Sequence, residues 1–174
     1  SVLTGVEQIE QTAQPERLRG EMRPYQIKGL SWLSWLAETG LGGCLADDMG
    51  LGKTVQALAL RKTRIRTGEK DPVLLIFPTS VIETWRREAE HFVPDLSVRI
   101  HHGTGRQRGE KFSESVKGTD LVITSYSILH RDNDTSNRTE WSGATLDEAQ
   151  NIKNPETRQS KAARSIRAKW HFAL

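Results

Sequence analysis

Residues 46–54 read Ala-Asp-Asp-Met-Gly-Leu-Gly-Lys-Thr, between an apolar Gly-Gly-Cys-Leu-Ala run and a helical Val-Gln-Ala-Leu-Ala-Leu run. The glycines of Gly50-Leu51-Gly52 let the backbone curl so that successive N–H groups point inward at an anion. The curl opens onto a helix N-terminus, whose dipole also favours negative charge. Lys53 brings a point charge to the β- and γ-phosphates of a nucleotide, and the Thr54 hydroxyl offers an oxygen ligand for Mg²⁺. Asp48, Met49, Gly50, Leu51, Gly52, Lys53 and Thr54 are therefore the predicted phosphate-binding loop, with ATP and Mg²⁺ as the expected ligands. Its first glycine position is Asp47, a departure from the strict phosphate-loop pattern. A glycine turn that merely leads into a helix is the plainer alternative.

Further along, Leu146-Asp147-Glu148-Ala149-Gln150 places two adjacent carboxylates at an expected strand end. Asp147 can hold Mg²⁺ through its water shell, while Glu148 can orient and deprotonate the water that attacks a γ-phosphate. An acidic pair that only opens a helix is the alternative, since helix dipoles favour carboxylates there. Following the loop, with strand and helix signals alternating between them, the pair is the expected second half of a hydrolytic site.

Taken in order, these segments resemble the first recA-like lobe of the Swi/Snf-type ATPases, DNA translocases of helicase superfamily two, and most closely their bacterial and archaeal members. Met22-Arg23-Pro24-Tyr25-Gln26 looks like the upstream adenine-side motif, and Phe77-Pro78-Thr79-Ser80 with Trp85 like the motif after the phosphate loop. His101-His102-Gly103, Thr124-Ser125-Tyr126 and the Asp-Glu-Ala-Gln-Asn-Ile-Lys-Asn-Pro run from Asp147 continue the series. The resemblance runs from about Leu18 to Leu174. It implies that Gln26 contacts adenine, that Lys53 and Thr54 bind phosphate and Mg²⁺, and that Asp147 and Glu148 complete hydrolysis. It also implies that Pro78, Thr79, Ser80, Thr124, Ser125 and Tyr126 lie along the DNA backbone. A second recA-like lobe that closes over the nucleotide, and a next motif beginning at the end of this chain, belong to the same implication. Where relatives carry an aliphatic run before the acidic pair, this chain has Trp141-Ser142-Gly143-Ala144-Thr145-Leu146, which weakens the strand signal there.

The elements that must position these groups alternate helix and strand, the order that builds an α/β fold with a mostly parallel central sheet and helices on both faces. Residues 1–20 are expected as a flanking segment and 21–174 as the lobe itself. Pro24 to about Glu38 is a predicted helix, apolar nearly all round, that carries Trp32 and Trp35. Leu41–Ala46, Val73–Phe77, Ser97–His101 and Asp120–Thr124 are predicted strands. Thr54 to about Arg66 is the predicted phosphate-loop helix, and about Arg106 to Val116 a polar helix. Val81, Ile82, Trp85, Ala89 and Phe92 share one helical arc, which assigns Trp85 to the core. Residues from Arg131 to Glu140 are expected to form a charged, structureless, mobile connection. The segment Lys153–Lys169 is expected as a basic terminal helix with a solvated face. Parallel strands gather every strand-to-helix loop on one edge, where open α/β sheets bind ligands.

At 174 residues, such a chain buries about 70% of its unfolded surface and supports its own core. With 36% hydrophobic and 27% charged residues, disorder is excluded, and no apolar stretch approaches the roughly 20 residues that cross a bilayer. No membrane partner is expected. The lone Cys44 excludes an internal disulfide and fits a reducing compartment, and no secretion signal precedes Gly20, so an intracellular, cytoplasmic setting is expected. Charge is nearly balanced, 25 Lys and Arg against 22 Asp and Glu. His101 and His102, without a third ligand at suitable spacing, are assigned structural roles. The expected activity is that of a duplex-DNA-dependent ATPase lobe, monomeric in isolation, that binds ATP weakly and turns it over little. A superfamily-two RNA helicase lobe, or a non-catalytic module that keeps the phosphate loop as scaffold, are the alternatives.

Overall fold

The computed structural model describes residues 9–44, 51–146 and 165–174. Six strands, β1 (Gly43–Cys44), β2 (Val73–Phe77), β3 (Val98–Ile100), β4 (Leu121–Ser125), β5 (Trp141–Leu146) and β6 (Ala168–Ala173), form one sheet in the order β1-β6-β5-β2-β4-β3. Every pairing in it is parallel. The helices are α1 (Pro24–Thr39), α2 (Leu51–Arg66), α3 (Ile82–Phe92), α4 (Gly109–Val116), α5 (Tyr126–Arg131) and α6 (Asn133–Asn137), with a 3₁₀ turn at Thr79–Val81.

Strand β2 shows why the sheet takes helices on both sides. All of its residues are buried, as befits a central parallel strand covered on two faces. Val73, Leu75 and Phe77 enter one core with Leu30 and Leu33 of α1, Leu58 of α2 and Trp85 of α3. Leu74 and Ile76 enter a second core with Phe112 and Val116 of α4 and Leu129 of α5. Trp85 is 5% exposed and stacks on Phe77 with ring centroids 4.1 Å apart, so its assignment to the core holds.

Helix α1 begins with Pro24 and is closed at its start by Gln26, whose Oε1 accepts from the Arg23 N–H at 2.8 Å. It ends at Gly40, whose φ of 71° suits glycine. Leu30, Leu33, Leu36 and Ala37 are buried together with Gln26, Ser31 and Ser34. Trp35 remains partly exposed and stacks on Trp32 with centroids 5.5 Å apart.

The run before the acidic pair is a strand despite its composition. Residues 141–145 of β5 are buried, and a Cβ at Gly143 would lie 2.2 Å from the Trp170 ring. The glycine is thus the seat of a tryptophan from β6 rather than a weakness in β5. The weakened strand signal there therefore does not mark a break in the sheet.

Three expectations are corrected. Ala168 and Lys169, assigned to a basic helix, belong to β6, where buried Trp170 and Phe172 stack at 5.0 Å and alternate with exposed Lys169 and half-buried His171. Period two in Lys-Trp-His-Phe is the strand signal that the helical reading overlooked; residues 151–164 lie outside the described residues. The expected structureless connection contains α6, with Asp132, Thr135, Ser136 and Thr139 buried. Their polar groups are satisfied inward: Gly109 N–H donates to Thr135 Oγ1 at 3.0 Å, Trp141 Nε1 to the Ser136 carbonyl at 3.0 Å, and Ser113 Oγ meets Thr139 Oγ1 at 3.0 Å. Helix α4 starts at Gly109 rather than Arg106, because Arg106 turns aside to pair with Asp132.

The far end of α2 is locked to the bottom of the sheet by a buried cation. Arg61 is 1% exposed; its Nε donates to the Asp120 carbonyl at 3.0 Å and its Nη2 to the Asp71 carbonyl at 2.8 Å. Its Nη1 lies 3.6 Å from Glu69, which also accepts from Arg64 at 2.7 Å and from Trp170 Nε1 at 3.2 Å. Removing the guanidinium loses two charge-assisted hydrogen bonds, although Glu69 keeps Arg64 and Trp170, and the two carbonyls keep Ser142 and Val73. Arg61→Ala should therefore destabilise the domain by about 2–4 kcal/mol, readable as a lower denaturant midpoint; a change within experimental error would show that the network contributes nothing net.

Candidate functional site

Register brings the candidate loops to one edge. Cys44 pairs with Ala173, Ala173 with Leu146, Leu146 with Ile76, and Ile76 with Thr124. The carboxyl ends of β1, β5, β2 and β4 therefore finish level. β1 and β5 flank β6, so their ends stand two strand spacings apart, about 10 Å. Asp48, Met49 and Gly50 lie outside the described residues, as do Asp147, Glu148 and Gln150; Leu146, the residue before the acidic pair, closes β5.

Helix α2 begins at Leu51, so Gly52, Lys53 and Thr54 occupy its first turn. That turn carries no acidic side chain, while Arg64 and Arg66 stand in the last. Both features leave the amino end of the helix attractive to an anion. Lys53 is half-buried and Thr54 buried. Gln26 is also buried, at the start of α1, and α1 packs directly against α2. The structure thus joins Gln26 to the phosphate-loop helix through a helix–helix contact.

The segments expected along a nucleic-acid backbone divide into two kinds. Thr79 and Ser80 are exposed on the 3₁₀ turn that follows β2, and Pro78 is half-buried before it. Thr124 and Ser125 are each 1% exposed, and Tyr126 is 5% exposed. The Thr124 hydroxyl donates to the His101 carbonyl at 2.8 Å. The Ser125 hydroxyl accepts from the Ile128 N–H at 3.3 Å, capping α5, and meets Ser127 Oγ at 3.1 Å. The Ser125 side chain is thus a helix cap, and the hydroxyls of Thr124 and Ser125 are engaged within the fold.

A buried charge cluster stiffens the adjoining β3 loop. His101 Nε2 lies 2.7 Å from Asp132 Oδ2. Arg106 grips the same carboxylate through Nε at 2.6 Å and Nη2 at 3.0 Å, and donates through Nη1 to the Gly103 carbonyl at 2.7 Å. His101 is structural, as expected; its ring also packs on Phe112 at 4.4 Å. Sequence reasoning missed Asp132 and Arg106, because their charges fall in stretches whose composition is that of solvent-exposed loops.

Titration of this cluster makes stability acid-sensitive. Burial, only partly opposed by Asp132, holds the His101 imidazole below its ordinary 6.5. Burial pushes Asp132 upward, but hydrogen bonds and charge from Arg106 and His101 outweigh it and hold the carboxyl below its ordinary 3.8. For both groups the unfolded chain takes up the proton first as pH falls. Stability should be full near neutrality, decline as pH drops below 6.5 through the folded His101 value, and fall again below 3.8. Thermal melts across pH, compared with His101→Gln, test this; the variant should lose the upper part of the decline, and an unchanged profile would dismiss His101 as its source.

Comparison with known proteins agrees with this geometry. The family described as the SNF2-related domain matches residues 25–174. The chain is 44% identical over 99% of its length to YwqA of Bacillus subtilis (strain 168), provisionally named an ATP-dependent helicase/translocase, of which it covers 19%. It is 36% identical over 87% of its length to the ISWI chromatin-remodeling complex ATPase ISW1 of Saccharomyces cerevisiae, covering 14% of that protein. Its fold matches the Sulfolobus solfataricus SWI2/SNF2 ATPase core in complex with dsDNA, with a TM-score of 0.83 and 38% identity over 95% of this chain and 34% of that one. The chain therefore spans a fifth or less of these two curated relatives.

Proposed function

Because the chain belongs to the SNF2-related domain family, with the α/β fold of the SWI2/SNF2 ATPase core, we propose that it is the ATP-binding lobe of a duplex-DNA-dependent ATPase. The parent protein couples hydrolysis to movement along DNA and to remodelling of protein–DNA complexes. Gln26 contacts the adenine, and residues 48–54 cradle the phosphates with Lys53 against the β- and γ-groups. Thr54 and Asp147 are hard oxygen donors suited to Mg²⁺, and the ion, when bound, offsets phosphate charge. Glu148 orients the attacking water and takes its proton. Pro78, Thr79 and Ser80 meet the DNA backbone, and at Thr124, Ser125 and Tyr126 contact falls chiefly to the main chain, since both hydroxyls are engaged. Such contacts hold phosphates without reading bases, which suits an engine that must track any sequence.

The observation that carries this reading is the shared edge: α2's anion-attracting turn, the exposed Thr79-Ser80 turn and the ends of β4 and β5 all meet there. A second lobe of the same polypeptide completes the site. No helix among the described residues is long and apolar enough to cross a membrane; an intracellular, DNA-associated setting follows from the proposed activity.

The test is nucleic-acid preference in the full-length protein. Duplex DNA of mixed sequence should stimulate ATP hydrolysis, and duplex RNA should neither stimulate it nor displace the DNA. Equal stimulation by RNA would transfer the chain to the RNA helicases of the same superfamily.

A further inference from the structure

Gln56 stands two residues beyond Thr54 on α2 and is 2% exposed. Its Nε2 donates to the carbonyl of Gln26 at 3.3 Å. Its Oε1 is buried without a hydrogen-bond partner among the described residues. Opposite it on α1 is Gly29, where a Cβ would lie 1.9 Å from Nε2 and 3.0 Å from Cδ. Two local costs meet at this contact: a glycine in a helix interior and a buried amide oxygen without a partner among the described residues. An alanine facing an apolar side chain would avoid both. A fold that keeps such a pair retains something that packing alone does not require.

Gln26 is held at two points, by Gln56 on its carbonyl and by the Arg23 N–H on its Oε1 at 2.8 Å. Lys53 and Thr54 lie on the same turn of α2 that projects Gln56. We infer that Gln56 is a positioning residue for the nucleotide, setting the base-side turn of α1 against the phosphate-side turn of α2. The inference rests on the nucleotide reading above and adds a residue to it. Base and triphosphate belong to one rigidly sized ligand, so two subsites on separate helices bind it well only at one relative placement. Loss of that placement weakens the whole nucleotide and leaves the phosphate chain alone unaffected.

This selectivity separates positioning from packing. In the full-length protein, Gln56→Met fills the same space without the amide. It should weaken Mg·ATP binding about tenfold, the scale of one lost hydrogen-bonded constraint. It should also leave inorganic tripolyphosphate binding unchanged and the melting temperature no lower. Gly29→Ala, which displaces Gln56, should give the same selective loss with a lower melting temperature. Gly29→Ala combined with Gln56→Ala should recover the melting temperature but not the preference for ATP. The inference is overturned if ATP and tripolyphosphate weaken together, if neither changes, or if ATP affinity tracks the melting temperature across the three variants. A wild-type protein that binds ATP no better than tripolyphosphate would instead remove the base subsite at Gln26, and this inference with it.

Discussion

Extended through a second recA-like lobe, the chain should hydrolyse ATP about 10³- to 10⁵-fold faster than residues 1–174 alone, the range spanned when an arginine reaches the transferring phosphate. The reason lies in which charges the single lobe supplies. In the proposed reading, Lys53 and the helix N-terminus meet the ground-state phosphates, and the acidic pair serves the metal and the water. Among the described residues, Arg61 and Arg64 are committed to Glu69 at the bottom of the sheet and Arg106 to Asp132. Charge that builds on the γ-phosphate in the transition state must be met from across the cleft. Single-turnover hydrolysis by both polypeptides, with and without duplex DNA, makes the comparison. Rapid DNA-stimulated turnover by residues 1–174 alone would refute the division of labour.

Glu148→Gln in the two-lobed protein should lower kcat by about 10²- to 10⁴-fold, the usual contribution of a positioned general base, with ATP affinity nearly unchanged. The amide keeps the size and some hydrogen bonding of the carboxylate but cannot accept a proton. The loss should therefore appear in the chemical step and not in binding. Mg·ATP affinity measured beside kcat separates the two effects. Unaltered turnover would return the chain to the role of an interaction module that keeps its phosphate loop only as scaffold. Buried β5, with Gly143 seating Trp170, gives that alternative no structural support.

The start of the candidate phosphate-loop helix was legible because it depends on short, local chemistry. Gly50-Leu51-Gly52-Lys53-Thr54 specifies a turn, a helix start and a charge within five consecutive residues, and helix α2 begins inside that run. The aliphatic run of β2 and the arc that buries Trp85 were legible for the same reason, since each follows the period of its own element. Where two periods overlapped, the sequence misled: Lys169 was drawn into a helix by neighbouring basic residues, although Trp170 and Phe172 alternate as a strand does.

What the amino-acid order determined, then, is the identity of the chemical groups and the alternation that makes a parallel sheet, because both are set by neighbours a few residues apart. Tertiary structure alone decided which polar groups are spent on the fold. Thr124, His101, Arg106 and Asp132 look equally available in the chain, yet each is drawn inward by a partner between 23 and 31 positions away. It also decided that Gly143 and Gly29 are seats for Trp170 and Gln56 rather than points of weakness. The physical reason is the same in each case: burial removes water as a partner, so a polar or bulky group must find its complement in whatever the fold brings alongside, and that neighbour is not written next to it.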